Sequence, residues 1–288
     1  MKKLICAILI AVLICGCAPS KEFHIVATTL PVYTFSQRLC EGTGIQVARL
    51  ITENVSCLHD YTLKIGQMQM LEQAEAVIIN GAGLEDFLED ALHSTHVQID
   101  ASHGLSLLEG SHEEHGHHDG HVHAEDPHIW LSPENAAVMA RNICYSLCEL
   151  YPAHAETFQH NLETLLSDLD ALQKYGEETL KNLRSREIIT FHDGFSYLAE
   201  SFDLTILEAV EEESGSEASA KQLISLISLV RQHQLPAIFT EVNGSVSAAD
   251  IVASETGIPI YPLDMIMSGE DYFDAMYRNI DTLREALQ

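Results

Sequence analysis

Basic residues are scarce in this chain: 15 Lys and Arg stand against 43 Asp and Glu in 288 residues, a formal net charge of −28 with His neutral. A surface this acidic repels a polyanion where phosphate contacts need Lys and Arg, which excludes nucleic acid as a partner. Cysteine is sparse too. Of seven, Cys6, Cys15 and Cys17 lie at the start, and Cys40, Cys57, Cys144 and Cys148 follow no disulfide-scaffold spacing. Cys144 and Cys148 sit four apart in a helical pattern and read as small apolar packing groups, so no obligatory disulfide is expected. The run Leu4 to Ile14 is too short to span a bilayer comfortably. No nucleophile elbow and no helical zinc-protease motif is present; in His112-Glu113-Glu114-His115 the two His are three apart, not four, and Gly116 follows. What the chain has in excess is His: 16 in all, six of them between His112 and His123.

Lys2 and Lys3, the apolar run and a small residue before Cys17 describe an export signal. Ile14-Cys15-Gly16-Cys17 resembles a bacterial lipobox, in which Cys17 is lipidated after removal of residues 1–16; a plain signal peptide cut near Ala18 is the alternative. Cleavage removes two lysines and no acid, so acyl chains rather than basic residues would hold the protein on a membrane. The expected location is extracytoplasmic, lipid-anchored, in the periplasm or at the cell surface.

Beyond the tether, short β-branched runs alternate with helical patterns. Phe23 to Ala27, Ile45 to Ile51, Ala76 to Asn80 and Val97 to Asp100 read as strands, with helices at Pro31 to Cys40, Ile65 to Gln73 and Leu84 to Leu92. The pattern returns with strands at Glu187 to Phe191, Thr205 to Val210, Ala237 to Glu241 and Ile258 to Tyr261, and helices at Ser219 to Gln232, Ser247 to Glu255 and Glu270 to Leu287. Such alternation predicts α/β architecture: two similar lobes, each with a mostly parallel sheet. Leu162, Leu165, Leu166, Leu169 and Leu172 give Ala155 to Leu183 helical spacing over an unusual length, and this segment is expected to bridge the lobes as one long helix. The expected division is 17–153 for the N-terminal lobe with a His-rich loop at 111–123, 154–184 for the linking helix and 185–288 for the C-terminal lobe.

Parallel sheets carry their chemistry where strands lead into helices. His59-Asp60-Tyr61, Asp126-Pro127-His128, Phe191-His192-Asp193-Gly194 and Leu263-Asp264 fall at such places. Three imidazoles and one carboxylate suit Zn²⁺, which takes four N, S or O ligands tetrahedrally. Two ligands from each lobe would couple binding to lobe apposition. Each residue alone also has a plainer reading: a His beside Asp as a surface or capping group, His192-Asp193 as a strand-end turn, and Asp264 as a cap. The long intervals do not decide between these.

Ala27-Thr28-Thr29-Leu30-Pro31, His59-Asp60-Tyr61, Asn80-Gly81-Ala82-Gly83-Leu84-Glu85, Asp126 to Leu131, Phe191 to Tyr197 and the Glu241 and Asp264 segments resemble, in order and spacing, those of the metal-specific solute-binding proteins of ABC importers (the metal-binding cluster A-I family). The resemblance covers nearly all of the chain after the signal. It implies a cleft between two lobes and delivery of metal to an importer permease by a protein that performs no reaction and acts as a monomer. His59, His128 and His192 match positions that supply ligands, and Asp264 a position that ligates in some members. His192 stands where manganese-type relatives tend to carry a carboxylate, which favours zinc. Glu241 is expected to accept the spare N–H of a ligating His. The chain departs from the family pattern at Ile65-Gly66, Ser132 and Ala218, all near helix starts.

Ser111 to His123 reads SHEEHGHHDGHVH, with His112, His115, His117, His118, His121 and His123 among acids and glycines. It has no apolar periodicity and is expected to be an adaptable auxiliary metal trap, or else a solvated linker with incidental affinity. Competing functions are a manganese- or iron-binding relative, a metal-dependent adhesin, and a zinc hydrolase with Glu241 or Asp193 as base.

Overall fold

A computed structural model describes residues 23–55, 58, 61–92, 97–110, 125–210, 218–269 and 271–288. The first lobe runs β1 (Ile25–Ala27), α1 (Leu30–Leu39), β2 (Val47–Arg49), α2 (Ile65–Gln73), β3 (Ala76–Ile79), a short α3 (Glu89–Leu92) and β4 (Gln98–Asp100). Then come α4 (Pro133–Leu150) and α5 (Ala155–Leu180), followed by β5 (Glu187–Phe191), α6 (Ser196–Ser201), β6 (Thr205–Ala209), α7 (Ala220–His233), β7 (Ile238–Glu241), α8 (Ser247–Thr256), β8 (Ile260–Leu263) and α9 (Tyr272–Leu287).

The strands form two parallel four-stranded sheets of the same order, β2-β1-β3-β4 and β6-β5-β7-β8. Every residue of β1, β3 and β7 is buried; β1 and β3 run apolar without alternation for that reason, whereas β7 turns polar at Thr240 and Glu241. In both sheets the chain reverses its direction of travel between the first and third strands of the lobe. Loops diverge there and leave a crevice at the carboxyl ends, so β5 and β7 flank the opening in the second lobe.

The helix starts near the departures from the family pattern are locally satisfied. Ser132 caps α4 by accepting from the Asn135 N–H at 3.3 Å, with Pro133 in the first turn. Ser219 and Gln222 form a capping box ahead of α7, and Gln67 accepts from the Lys64 N–H at 2.9 Å ahead of α2.

Helix α5 spans 26 residues, about 39 Å at 1.5 Å per residue. Its start faces the first lobe, where Asn161 Nδ2 donates to the carbonyls of Leu39 and Glu41 at 2.9 Å each and Asp168 pairs with Arg38. Its end faces the second, where Gln173 Nε2 donates to the Ser201 carbonyl at 3.3 Å and Gly176 lies under the Phe202 ring. Helix α9 also returns to the first lobe: the Tyr272 ring meets Phe35 edge-on at 4.9 Å, and the Arg38 guanidinium lies 5.1 Å from the Phe273 ring centre. One apolar core therefore runs from the first sheet through α4 and α5 to α9. A smaller core, built on Ile189, Phe191, Leu226, Val230, Ile238 and Val252, sits between the second sheet and α7 and α8. Among the described residues, no helix is long and apolar enough to cross a membrane.

Several boundaries differ from the sequence reading by one to three residues, and two of the differences have a physical reason. The last strand ends at Leu263 rather than Tyr261 and contains Pro262, which an edge strand tolerates because no ladder N–H is needed there. The expected helix at Leu84 to Leu92 is a 3₁₀ turn at Asp86–Leu88 running into α3. Cys40, Cys144 and Cys148 are free thiols; burial pushes Cys40 up to about 12, and burial together with the adjacent Cys148 does the same for Cys144. Cys17 and Cys57 lie outside the described residues.

Candidate metal centre

The segment from Asp126 to Leu131 is held from both sides. From the first lobe, the Asp126 N–H donates to the Leu108 carbonyl at 2.8 Å and Asn80 Nδ2 to the Pro127 carbonyl at 3.1 Å. From the second, Tyr197 Oη donates to the Asp126 carbonyl at 3.0 Å and accepts from the Leu108 N–H at 2.9 Å. Fully buried Trp130 donates from Nε1 to the Met265 carbonyl at 2.8 Å, and Tyr272 Oη donates to the Trp130 carbonyl at 2.8 Å. A buried donor or acceptor left unmade is costly, so these bonds fix where the segment sits.

His128 is buried at the centre of that segment. Its Nδ1 lies 2.8 Å from Asp126 Oδ1, which also accepts from the His128 backbone N–H at 2.9 Å. Burial pushes the Asp126 carboxyl up, but hydrogen bonds from His128 and Ser196 and the imidazole's charge outweigh it, so the acid is held below its ordinary value. An ionised carboxylate only accepts; Nδ1 therefore carries a proton, and in the neutral imidazole Nε2 is the nitrogen left to ligate.

His192 follows β5 immediately, on one side of the opening in the second lobe, and Glu241 closes β7 on the other. His192 Nδ1 is 3.5 Å from Glu241 Oε2, and His192 Nε2 is buried. Both rings thus turn Nδ1 toward a carboxylate. The His128 and His192 ring centres are 5.7 Å apart with planes at 81°. With Zn–N bonds of 2.0–2.1 Å, a ligating imidazole centre sits about 3.2 Å from the metal, so two such rings are about 5.2 Å apart at a tetrahedral angle and about 4.5 Å at a right angle. The observed spacing lies on the tetrahedral side.

Asp264 directly follows β8, and its side chain is 21% exposed. Oδ1 accepts from the Ile266 N–H at 2.7 Å, and Oδ2 lies 3.6 Å from Arg278 Nη2. Ile266 is fully buried at φ +60°, a left-handed conformation that a β-branched residue adopts only under constraint from its surroundings. Asn279 holds the Asp264 backbone, accepting from its N–H and donating to its carbonyl at 2.8 Å each. Burial, and after it the charge of Asp264, raises Glu241 to about 8. The charge of Asp264 felt at Glu241 marks a pocket of negative potential suited to a cation.

The structure brings His128, His192 and Glu241 together, with Asp264 near enough to act electrostatically on Glu241. Among the described residues, no three His, Cys, Asp or Glu side chains already converge as a metal-binding group. His59, which the sequence places in the site, lies outside the described residues, as do His112, His115, His117, His118, His121 and His123. The residues flanking the His-rich segment are described: Glu109 and Glu125 form an antiparallel bridge one residue from Asp126. Sequence reasoning did not assign roles to Asp126, Trp130, Gly194 or Asn279. Only Asp126 carried a local signal, since an acid two residues before a ligating His can turn back onto its ring.

A family model described as zinc-uptake complex component A, periplasmic, matches residues 25–286. The high-affinity zinc uptake system protein ZnuA of Bacillus subtilis is 30% identical over 290 residues, covering 94% of this chain and 90% of that one. The zinc-binding lipoprotein AdcA of Streptococcus pneumoniae is 30% identical over 307 residues, but the match covers 99% of this chain and only 61% of AdcA. A crystal structure of ZnuA superposes with a TM-score of 0.81 at 27% identity, covering 92% of this chain and 99% of that one.

Proposed function

The chain belongs to the periplasmic zinc-uptake component A family, and we propose that it captures Zn²⁺ outside the cytoplasm, in the cleft between its lobes, and delivers it to an ABC importer permease. Zinc is the cargo; of the named relatives, one is a zinc uptake system protein and the other a zinc-binding lipoprotein. The observation that carries this reading is the pair His128 and His192. One imidazole comes from the segment between the lobes and one from the end of β5, 5.7 Å apart, each with Nδ1 toward a buried acid.

In this proposal His59, His128 and His192 bind the ion through nitrogen, and Asp264 is the fourth ligand. Glu241 and Asp126 orient the rings of His192 and His128. The six loop imidazoles collect metal beside the cleft, a role that the Glu109–Glu125 bridge supports by rooting the loop next to Asp126. Cys17 carries a lipid anchor after removal of residues 1–16, and the monomer divides into lobes 17–153 and 185–288 linked by 154–184.

Zinc titration against a competing chelator tests this in a chain lacking residues 112–123. His59→Ala, His128→Ala and His192→Ala are each expected to weaken binding by at least a hundredfold. Wild-type affinity in all three would overturn the cleft assignment.

A further inference from the structure

Gly194 lies two residues beyond His192 in the turn between β5 and α6. Its backbone is outside the left-handed region, so conformational freedom does not explain the absence of a side chain. Space does. A Cβ there would lie 3.0 Å from both Nδ1 and Cε1 of His128 and 2.6 Å from Met265 Cε. The thioether end can swing aside, whereas the imidazole cannot do so freely: Asp126 holds its Nδ1, and the Trp130 ring packs edge-on against it at 5.4 Å.

We propose that Gly194 is a positioning residue for the metal site: its missing side chain lets the loop carrying His192 abut the His128 ring and thereby sets the spacing of the two imidazoles. This rests on the reading of His128 and His192 as zinc ligands. A methyl group at 194 forces the His128 ring and the loop that bears its partner apart, whichever of the two gives. The spacing of 5.7 Å already exceeds the roughly 5.2 Å of an ideal tetrahedral pair, so displacement in that direction takes the two nitrogens beyond joint reach of one ion. Contact between the lobes is thereby converted into ligand geometry.

Gly176 on α5 provides the control. It too is a glycine of space, since a Cβ there would lie 2.1 Å from Phe202 Cε1, and it takes no part in the metal site. In a chain lacking residues 112–123, Gly194→Ala is expected to weaken Zn²⁺ binding at least tenfold and to alter the intensity and position of the visible bands of bound Co²⁺. Gly176→Ala is expected to lower resistance of the metal-free protein to urea while leaving both metal readouts at wild type. Gly194→Ala with zinc affinity within twofold of wild type and an unchanged Co²⁺ spectrum overturns the proposal. Should Gly194→Ala fold poorly, the Met265→Ala/Gly194→Ala double variant removes the contact at 2.6 Å and keeps those with His128, and the same two readouts decide. His128→Ala and His192→Ala measured alongside separate the two levels. If they retain wild-type affinity, the site reading fails; if they lose it while Gly194→Ala is silent, only this inference fails.

Discussion

Asn279 on α9 clasps Asp264 by both of its backbone groups, accepting from the N–H and donating to the carbonyl at 2.8 Å each. The amide acts as one more strand residue beyond the end of β8, so the carboxylate of Asp264 leaves the sheet at a fixed point. Asn279 is itself buried, and Asn279→Ala would leave both backbone groups without this partner. A cost of about 2–6 kcal/mol in urea unfolding is expected at one to three per unsatisfied group. Zinc affinity should fall along with stability, because a proposed ligand loses its anchor.

Trp130 links the two lobes through its indole N–H, donated to the Met265 carbonyl, as well as through its own carbonyl, which accepts from Tyr272. Trp130→Phe keeps most of the apolar surface and removes the donor. Its expected cost is about 1–3 kcal/mol for the bond and the carbonyl left behind. Chemical denaturation measures that cost, and stopped-flow zinc release should be faster in the variant, since the His128 segment loses a tie to the second lobe.

Glu85 gives the metal-free protein a distinctive pH dependence. The carboxylate is buried and accepts from Thr28 Oγ1 at 2.6 Å, Asn80 N–H at 2.8 Å and Gly81 N–H at 3.1 Å. Burial outweighs these bonds and raises its pKa from 4.5 to about 7. The folded state therefore holds a proton that the unfolded state has released between those values, and stability must fall as pH rises through that window. Relative to Glu85→Gln, which does not titrate, the unfolding free energy of the wild type should drop by roughly 2–3 kcal/mol between pH 4.5 and 8. Paired urea titrations of the metal-free proteins check the sign; a difference that grows with pH in the wild type's favour would contradict it.

Zinc should also stabilise the fold by mass action. At free metal a thousandfold above the dissociation constant the gain is about 4 kcal/mol, seen as a rise in melting temperature. In a chain lacking residues 112–123, that rise should vanish in His128→Ala and His192→Ala; the metal-free melting temperature of His192→Ala should stay near the wild type's, whereas that of His128→Ala should fall because buried Asp126 loses its imidazole partner.

Much of this architecture is legible along the chain because it depends on local periodicity. Apolar runs without alternation mark β1 and β3, whose residues are all buried. Leucines at helical spacing mark α5, where Leu165, Leu169 and Leu172 do face the core. The end of β8 was not legible, since a proline such as Pro262 is excluded from a central strand but not from one at the sheet edge, and edge position is a property of the assembled sheet.

By itself, the sequence determined most element types, the repeat of the α/β pattern and the candidacy of His59, His128, His192 and Asp264, which rest on residue chemistry at strand ends, while Glu241 came with the family resemblance. Tertiary structure alone decided that His128 and His192 meet, that Asp126 and Glu241 face their Nδ1 atoms, that Trp130 reaches Met265, and that Gly194 is bare to admit a ring from 66 residues away. The physical reason is range. Propensity and periodicity act between neighbours, whereas a metal shell is assembled from loops whose separation in the chain places no bound on their distance in space until both sheets and the helix between them have folded.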